Sequence, residues 1–182
     1  MKFPESPFRN YTSQLLQMPE VASVCLAMQD NFDADVNLLL FCCWAAENRR
    51  QLDDGDIHKL IQAGEPWQSV IIRPLRETRK LMKSQVIAMP TYLHTKTMAN
   101  LTEMEINAEH MAQLNLEKTI IFSRHETGEL SVIDTAARNL MTYVQKLEKI
   151  QSRDVTGHIA TLLCHIYGDD ETVQVAMTAV MA

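Results

Sequence analysis

The 182-residue sequence contains five glycines, six prolines and only 6% aromatic residues. So few turn formers and so few strand-favouring side chains argue against a sheet protein with many reversals. The same scarcity removes the phosphate-cradling loops. G-x-x-x-x-G-K-[ST], G-x-G-x-x-G and the nucleophile elbow G-x-S-x-G are all absent. No pair of the four cysteines (Cys25, Cys42, Cys43, Cys164) has C-x-x-C spacing, so reduced thiols are expected. The longest apolar run, Leu38 to Ala46, falls well short of the ~18–20 residues needed to cross a membrane. The opening MKFPESPFRN has no apolar h-region, so neither a secretory signal nor membrane insertion is expected. The net charge of −6 argues against a nucleic-acid partner, because such affinity rests on neutralising phosphates. A cytoplasmic protein is the expectation.

Hydrophobic residues make up 46% of the chain, with 11 methionines, enough for a sizeable core. Their spacing is helical. Ser6 can cap a first helix with Pro7 at its first position, followed by Phe8, Tyr11, Leu15 and Met18. Pro19 can open a second, striped by Val21, Val24, Cys25, Met28 and Phe32. Asp33 is the expected cap of a third, Ala34 to about Asn48. Beyond a turn at Gly55, Ile57, Leu60 and Ile61 mark a short helix ending near Gly64. Pro74 kinks or restarts the next helix, with Ile71, Leu75, Thr78 and Met82 on one face. An irregular VIAMPTYLH connection leads to a long helix, about Lys96 to Phe122, with Leu101, Met104, Ala108 and Met111 inward. The break SRHETGELS is the expected subdomain boundary. Three helical patterns follow, running through Ile133 to Leu147, Val155 to Ile166, and Val173 to Val180. No segment alternates with period two.

Four blocks carry a resemblance: VCLAMQD (24–30), DVNLLLFCCW (35–44), W…PLRETRKLMK (Trp67, then 74–83) and EINAEH (105–110). In this order they resemble a proteobacterial family of small helical proteins known only as a domain of unknown function. Its pattern runs A-C-L-x-L-Q-D, D-V-N-L-L-L-F-x-x-W, P-L-R-x-x-R, E-L-x-A-E. The resemblance covers about Phe8 to Leu116. The chain departs from it at Glu20, where the family often has Gly, and at His110, where it usually has Arg. It implies a helical fold in a bacterial cytoplasm and assigns no activity, so it lends no catalytic residue.

Four groups of side chains invite a functional reading, each beside a plainer one. Adjacent Cys42 and Cys43 point about 100° apart on a helix, and a disulfide between neighbours needs non-helical geometry, so core packing is favoured over redox chemistry. Arg73, Arg76, Lys80 and Lys83, with Arg79 beside them, form a basic stripe within about 80° on a helix. Such a stripe can bind an acidic partner or be a solvated face with acidic neighbours. Glu105 and Glu109 share a face, but no Glu-x-x-His or H-E-x-x-H accompanies them, so no metal and no cofactor is expected. Asp30, Asp33, Asp35 and Asn37 lack the Gly and closing Glu of a calcium loop. Asn37 borders a wholly apolar run, so it is expected either to bond a neighbouring helix or to contact a ligand.

The expectation is therefore an all-α, compact multi-helix bundle of about eight or nine helices, packed around a fully buried central helix. A family-like domain spans 1–125, and a three-helix extension spans 126–182, packed on it or on a twin subunit. The favoured function is a non-enzymatic protein-interaction or regulatory protein using the face of Arg73, Arg76, Arg79, Lys80 and Lys83. The alternative is a small-molecule binder or enzyme with an apolar inter-helix pocket contacted by Asp35, Asn37 and Arg73. A homodimer through the C-terminal helices is a further expectation.

Overall fold

The computed structural model describes residues 3–84, 88–122, 130–147, 154–168 and 170–181. Among them are nine α-helices and no strand. The expected boundary at 125/126 and the tip of the VIAMPTYLH connection at 85–87 lie outside the described residues.

Helix α1 (Pro7–Leu16) begins where the Ser6 hydroxyl accepts the Arg9 amide at 3.0 Å. Helix α2 (Pro19–Phe32) ends at Asp33, which takes a left-handed φ of 58°. Asp33 therefore closes α2 rather than opening α3, because a residue in that conformation cannot start a right-handed helix. The cap of α3 (Val36–Glu47) is Asp35, whose Oδ1 accepts the Asn37 amide at 2.8 Å.

Helix α3 holds the core together. Asn37 through Ala46 are all buried, while Val36 is half-buried and Glu47 exposed. Burial thus covers ten residues rather than the whole helix. Cys42 and Cys43 are core residues at 1% and 0% exposure, and burial pushes both thiols up. Around Trp44, an aromatic cluster joins Phe8, Phe41 and Phe122, with ring centroids 4.8–5.4 Å from the indole. Helices α1, α2, α4, α6 and α7 pack directly on α3. The other helices pack mainly elsewhere, so α3 is not the axis of every packing pair.

Helix α4 (Asp54–Trp67) runs through Gly64 and Pro66 instead of ending there, and passes by one π turn (Gln68–Ile72) into α5 (Arg73–Lys83). Pro66 and Pro74 lack amide donors, and a wider turn lets the ladder skip a missing bond. The expected kink is thus a π turn, and its Ile72 is the buried residue. None of the α5 side chains is buried.

Helix α6 (Thr91–Thr119) starts earlier than periodicity suggests, and its buried residues Ala108, Ala112, Gln113 and Leu116 all lie in its second half. Leu101 is only half-buried, and Met104 and Met111 are exposed. The first half of α6 instead pairs with α5. His94 Nε2 donates to the Met82 carbonyl at 2.9 Å, and Arg79 Nε donates to Glu105 Oε2 at 2.6 Å. These two helix segments form an arm. It is rooted in a small cluster of Ile72, Ala108 and Ala112, flanked by Trp67 and Leu75.

Helix α7 (Val132–Val144) packs on α3, α8 (Asp154–Tyr167) on α2, and α9 (Asp170–Met181) on α7 and α8. Asn139 on α7, fully buried, secures the chain that leaves α3. It donates to the carbonyls of Cys42 (3.1 Å) and Arg50 (3.0 Å), and accepts the Leu52 amide at 2.8 Å.

Candidate functional site

The cap of α3 and the root of the arm meet in one polar network. Asn37, 4% exposed, points at α6. Its Nδ2 donates to Glu109, and its Oδ1 accepts from Gln113 Nε2 at 2.9 Å. Glu109 also receives Arg76 Nη2 at 3.0 Å, while Arg76 Nε reaches Glu105 at 3.1 Å and Arg76 Nη1 reaches Gln29. Arg79 completes the chain with a two-nitrogen grip on Glu105. Glu105 and Glu109 stand one turn apart on α6, and Arg76 and Arg79 stand three apart on α5, so each helix presents its charges on a single face.

These carboxyls answer differently to their surroundings. Burial pushes Glu105 up, but its bonds to Arg79 and Arg76 outweigh that and hold it below the usual carboxylate range. Glu109 sits above that range, raised by burial and by the charge of Glu105 despite its bonds to Asn37 and Arg76. Asp35 is pushed up to about 7 by burial and by the charge of Glu109, against opposing bonds from the Asn37 and Leu38 amides and Gln68. Gln68 Nε2 donates to Asp35 at 3.1 Å, and the Asp35 amide donates to the Tyr143 hydroxyl at 2.8 Å. Gly64 makes room beside it, since a Cβ there would lie 3.3 Å from Asp35 Oδ2.

Two hollows flank Arg76. One, of about 320 Å³, opens between the α2–α3 turn, α4, the start of α5 and the end of α7, and is lined by charged side chains including Asp33, Asp35, Glu65, Arg73 and Lys80. The other, of about 240 Å³, is mainly apolar and includes Leu16, Leu26, Asn37 and Glu109.

The residues singled out in the sequence are thereby placed. Asp35, Asn37, Arg76 and Arg79 lie at the network. Arg73 pairs with Asp33 at 3.2 Å, both about half exposed. Lys80 and Lys83 are exposed on the arm. Sequence reasoning missed Gln29, Gln68, Gln113 and Tyr143, which carry no charge pattern. It weighed Glu105 and Glu109 as metal ligands, whereas they face arginines. Among the described residues no group of three His, Cys, Asp or Glu side chains could hold a metal ion. No helix among them is long and apolar enough to cross a membrane.

A family model described as "Protein of unknown function (DUF2390)" matches residues 8–116. That span contains every side chain of the network from Gln29 to Gln113 and leaves α7, α8 and α9 outside. Neither a curated protein nor a solved structure matches the chain.

Proposed function

The chain belongs to the family described as protein of unknown function (DUF2390), and from that premise we propose that it is a non-enzymatic interaction protein of the bacterial cytoplasm whose arm docks an acidic partner protein. The observation that carries this reading is the arm itself. Neither α5 nor the first seventeen residues of α6 (91–107) contribute a buried side chain. Such helices cannot owe their position to burial in the core. The arm is instead held at its root by ion pairs and the Ile72 cluster.

Its outer surface supports docking. Leu81, near the end of α5, and Tyr92 and Leu93, at the start of α6, are 64%, 72% and 41% exposed, and large exposed apolar side chains of this kind mark partner surfaces when they gather. Lys80 and Lys83 stand within two residues of Leu81 in the chain, Lys96 three residues from Leu93, and all three are exposed. Between positions 73 and 107 six Lys or Arg stand against three Asp or Glu, on a chain of net charge −6. A basic arm on an acidic body steers acidic surfaces to the arm and away from the rest. In this arrangement Arg76 and Arg79 set the arm, and Lys80 and Lys83 meet the partner.

The test is affinity capture from the native cell with the chain as bait. Lys80→Glu/Leu81→Ser/Lys83→Glu should lose a partner that Lys118→Glu, at the far end of α6, retains, and added salt should weaken the wild-type complex. An unchanged set of captured proteins in the triple variant would overturn the reading.

A further inference from the structure

The polar network at the arm root leaves one acceptor unused. Asn37 uses both ends of its amide, donating to Glu109 and accepting from Gln113 Nε2. That second bond fixes which way the Gln113 amide faces, because a flipped amide would set its oxygen against the Asn37 oxygen. Gln113 Oε1 is thereby left without a hydrogen-bond partner among the described residues, on a residue only 5% exposed. A buried acceptor with no donor is costly, and such groups are few in folded proteins.

Gln113 lines the mainly apolar hollow of about 240 Å³. Ala22, Cys25, Leu26 and Gln29 stand at helical spacing on one face of α2 and form one wall, with Leu16 and Val36 beside them. The two charged residues of the lining cancel, since Arg76 pairs with Glu109 at 3.0 Å. Leu16 and Leu26 are exposed while Asn37 and Gln113 are buried, so the hollow runs from an apolar mouth to a polar floor.

We propose that this hollow binds a small neutral aromatic molecule carrying one N–H or O–H donor, with its rings against Leu16, Leu26 and Val36 and its donor on Gln113 Oε1. An apolar cavity of roughly 150 Å³ takes benzene, so about 240 Å³ takes a molecule of two fused rings. A carboxylate or phosphate is disfavoured, because Gln113 Oε1 and Glu109 are both acceptors and the Arg76 guanidinium already meets Glu105, Glu109 and Gln29. An ammonium would leave water for mostly hydrocarbon walls and a carboxylate that is already paired. A neutral donor makes the bond the protein leaves unmade, and its rings cover the two exposed leucines. The site shares no residue with the arm tip, so binding here and docking there stand or fall separately.

The experiment is isothermal titration of the full chain with indole and with benzofuran, which has the same shape but an ether oxygen in place of the N–H. Saturable one-to-one binding of indole is expected, with benzofuran weaker by about fivefold or more. Gln113→Met keeps an unbranched side chain and removes the oxygen, so it should bring the two ligands to similar affinity. Ala22→Phe adds a ring to the half-buried α2 wall and should weaken indole by about tenfold or more. The comparison of the two ligands on the wild type needs no variant, so it decides the matter even where Gln113→Met fails to fold. Absence of saturable indole binding, benzofuran bound as tightly by the wild type, an indole preference retained in folded Gln113→Met, or unchanged indole affinity in Ala22→Phe would overturn the proposal.

Discussion

Replacing Arg76 with methionine tests the network where it is most concentrated. The substitution keeps an unbranched stem along α6 and removes the guanidinium that reaches Glu105, Glu109 and Gln29. Breaking a buried ion pair costs about 3–5 kcal/mol, whereas an exposed pair is worth about 0–1 kcal/mol. The Arg76 side chain is 21% exposed, Glu105 12% and Glu109 24%, which places the network nearer the buried limit. Arg79 still holds Glu105 in the variant, so the loss falls on Glu109, already raised by burial. A destabilisation of about 2–3 kcal/mol is expected, read as a lower urea midpoint at unchanged m-value. Adding Glu109→Gln should restore part of it, because the stranded carboxylate is then gone. An Arg76→Met variant within about 0.5 kcal/mol of wild type, or a Glu109→Gln change that deepens the loss, would refute the reasoning.

Three further outcomes follow from the same geometry. Asn139→Ala removes the acceptor of the Leu52 amide and one donor each to the Cys42 and Arg50 carbonyls, and should cost about 2–4 kcal/mol in urea unfolding. Trp44→Ala opens the cluster of Phe8, Phe41 and Phe122 and should cost about 3–5 kcal/mol in the same assay. Asp35 has a folded-state pKa of about 7, above its unfolded value near roughly 3.9. Its favourable contribution is therefore complete below that unfolded value and disappears as pH rises through about 7. Melting temperatures should show Asp35→Asn gaining on wild type between pH 5 and pH 8, and a constant difference would contradict the assignment.

The helices were legible because an apolar stripe or run marks each one, and α3 stood out because no polar stripe interrupts Leu38 to Ala46. What covers a stripe was not legible. Leu101, Met104 and Met111 keep helical spacing, yet Met104 faces solvent because the first half of α6 leaves the body with α5, and Met111 is exposed although its neighbour Ala112 is buried. Asp33 and Asp35 are chemically equal as caps, and only the left-handed backbone at Asp33 separates them. At the site, Asp35, Asn37, Arg76 and Arg79 drew attention singly. Their assembly depends on the register of the α5–α6 hairpin, which the i,i+3 arginines and i,i+4 glutamates hinted at through matching spacing and opposite charge. Asn139 gave no local signal beyond being an amide in an apolar helix, because its partners lie 87 to 97 residues away.

The central claim is that the tip of the arm is the surface a partner covers. Helix α6 has 29 residues, about 43 Å at 1.5 Å per residue, so Tyr92 near its start and Ile121 just past its end lie at opposite ends of the longest helix among the described residues. Both are exposed, at 72% and 86%. A photo-cross-linking benzoylphenylalanine placed at either position and irradiated in living cells compares the two ends directly. The account predicts a discrete protein adduct from position 92 that disappears with Lys80→Glu/Lys83→Glu, and none from position 121. No adduct from position 92, or the same adduct from both ends, would contradict it.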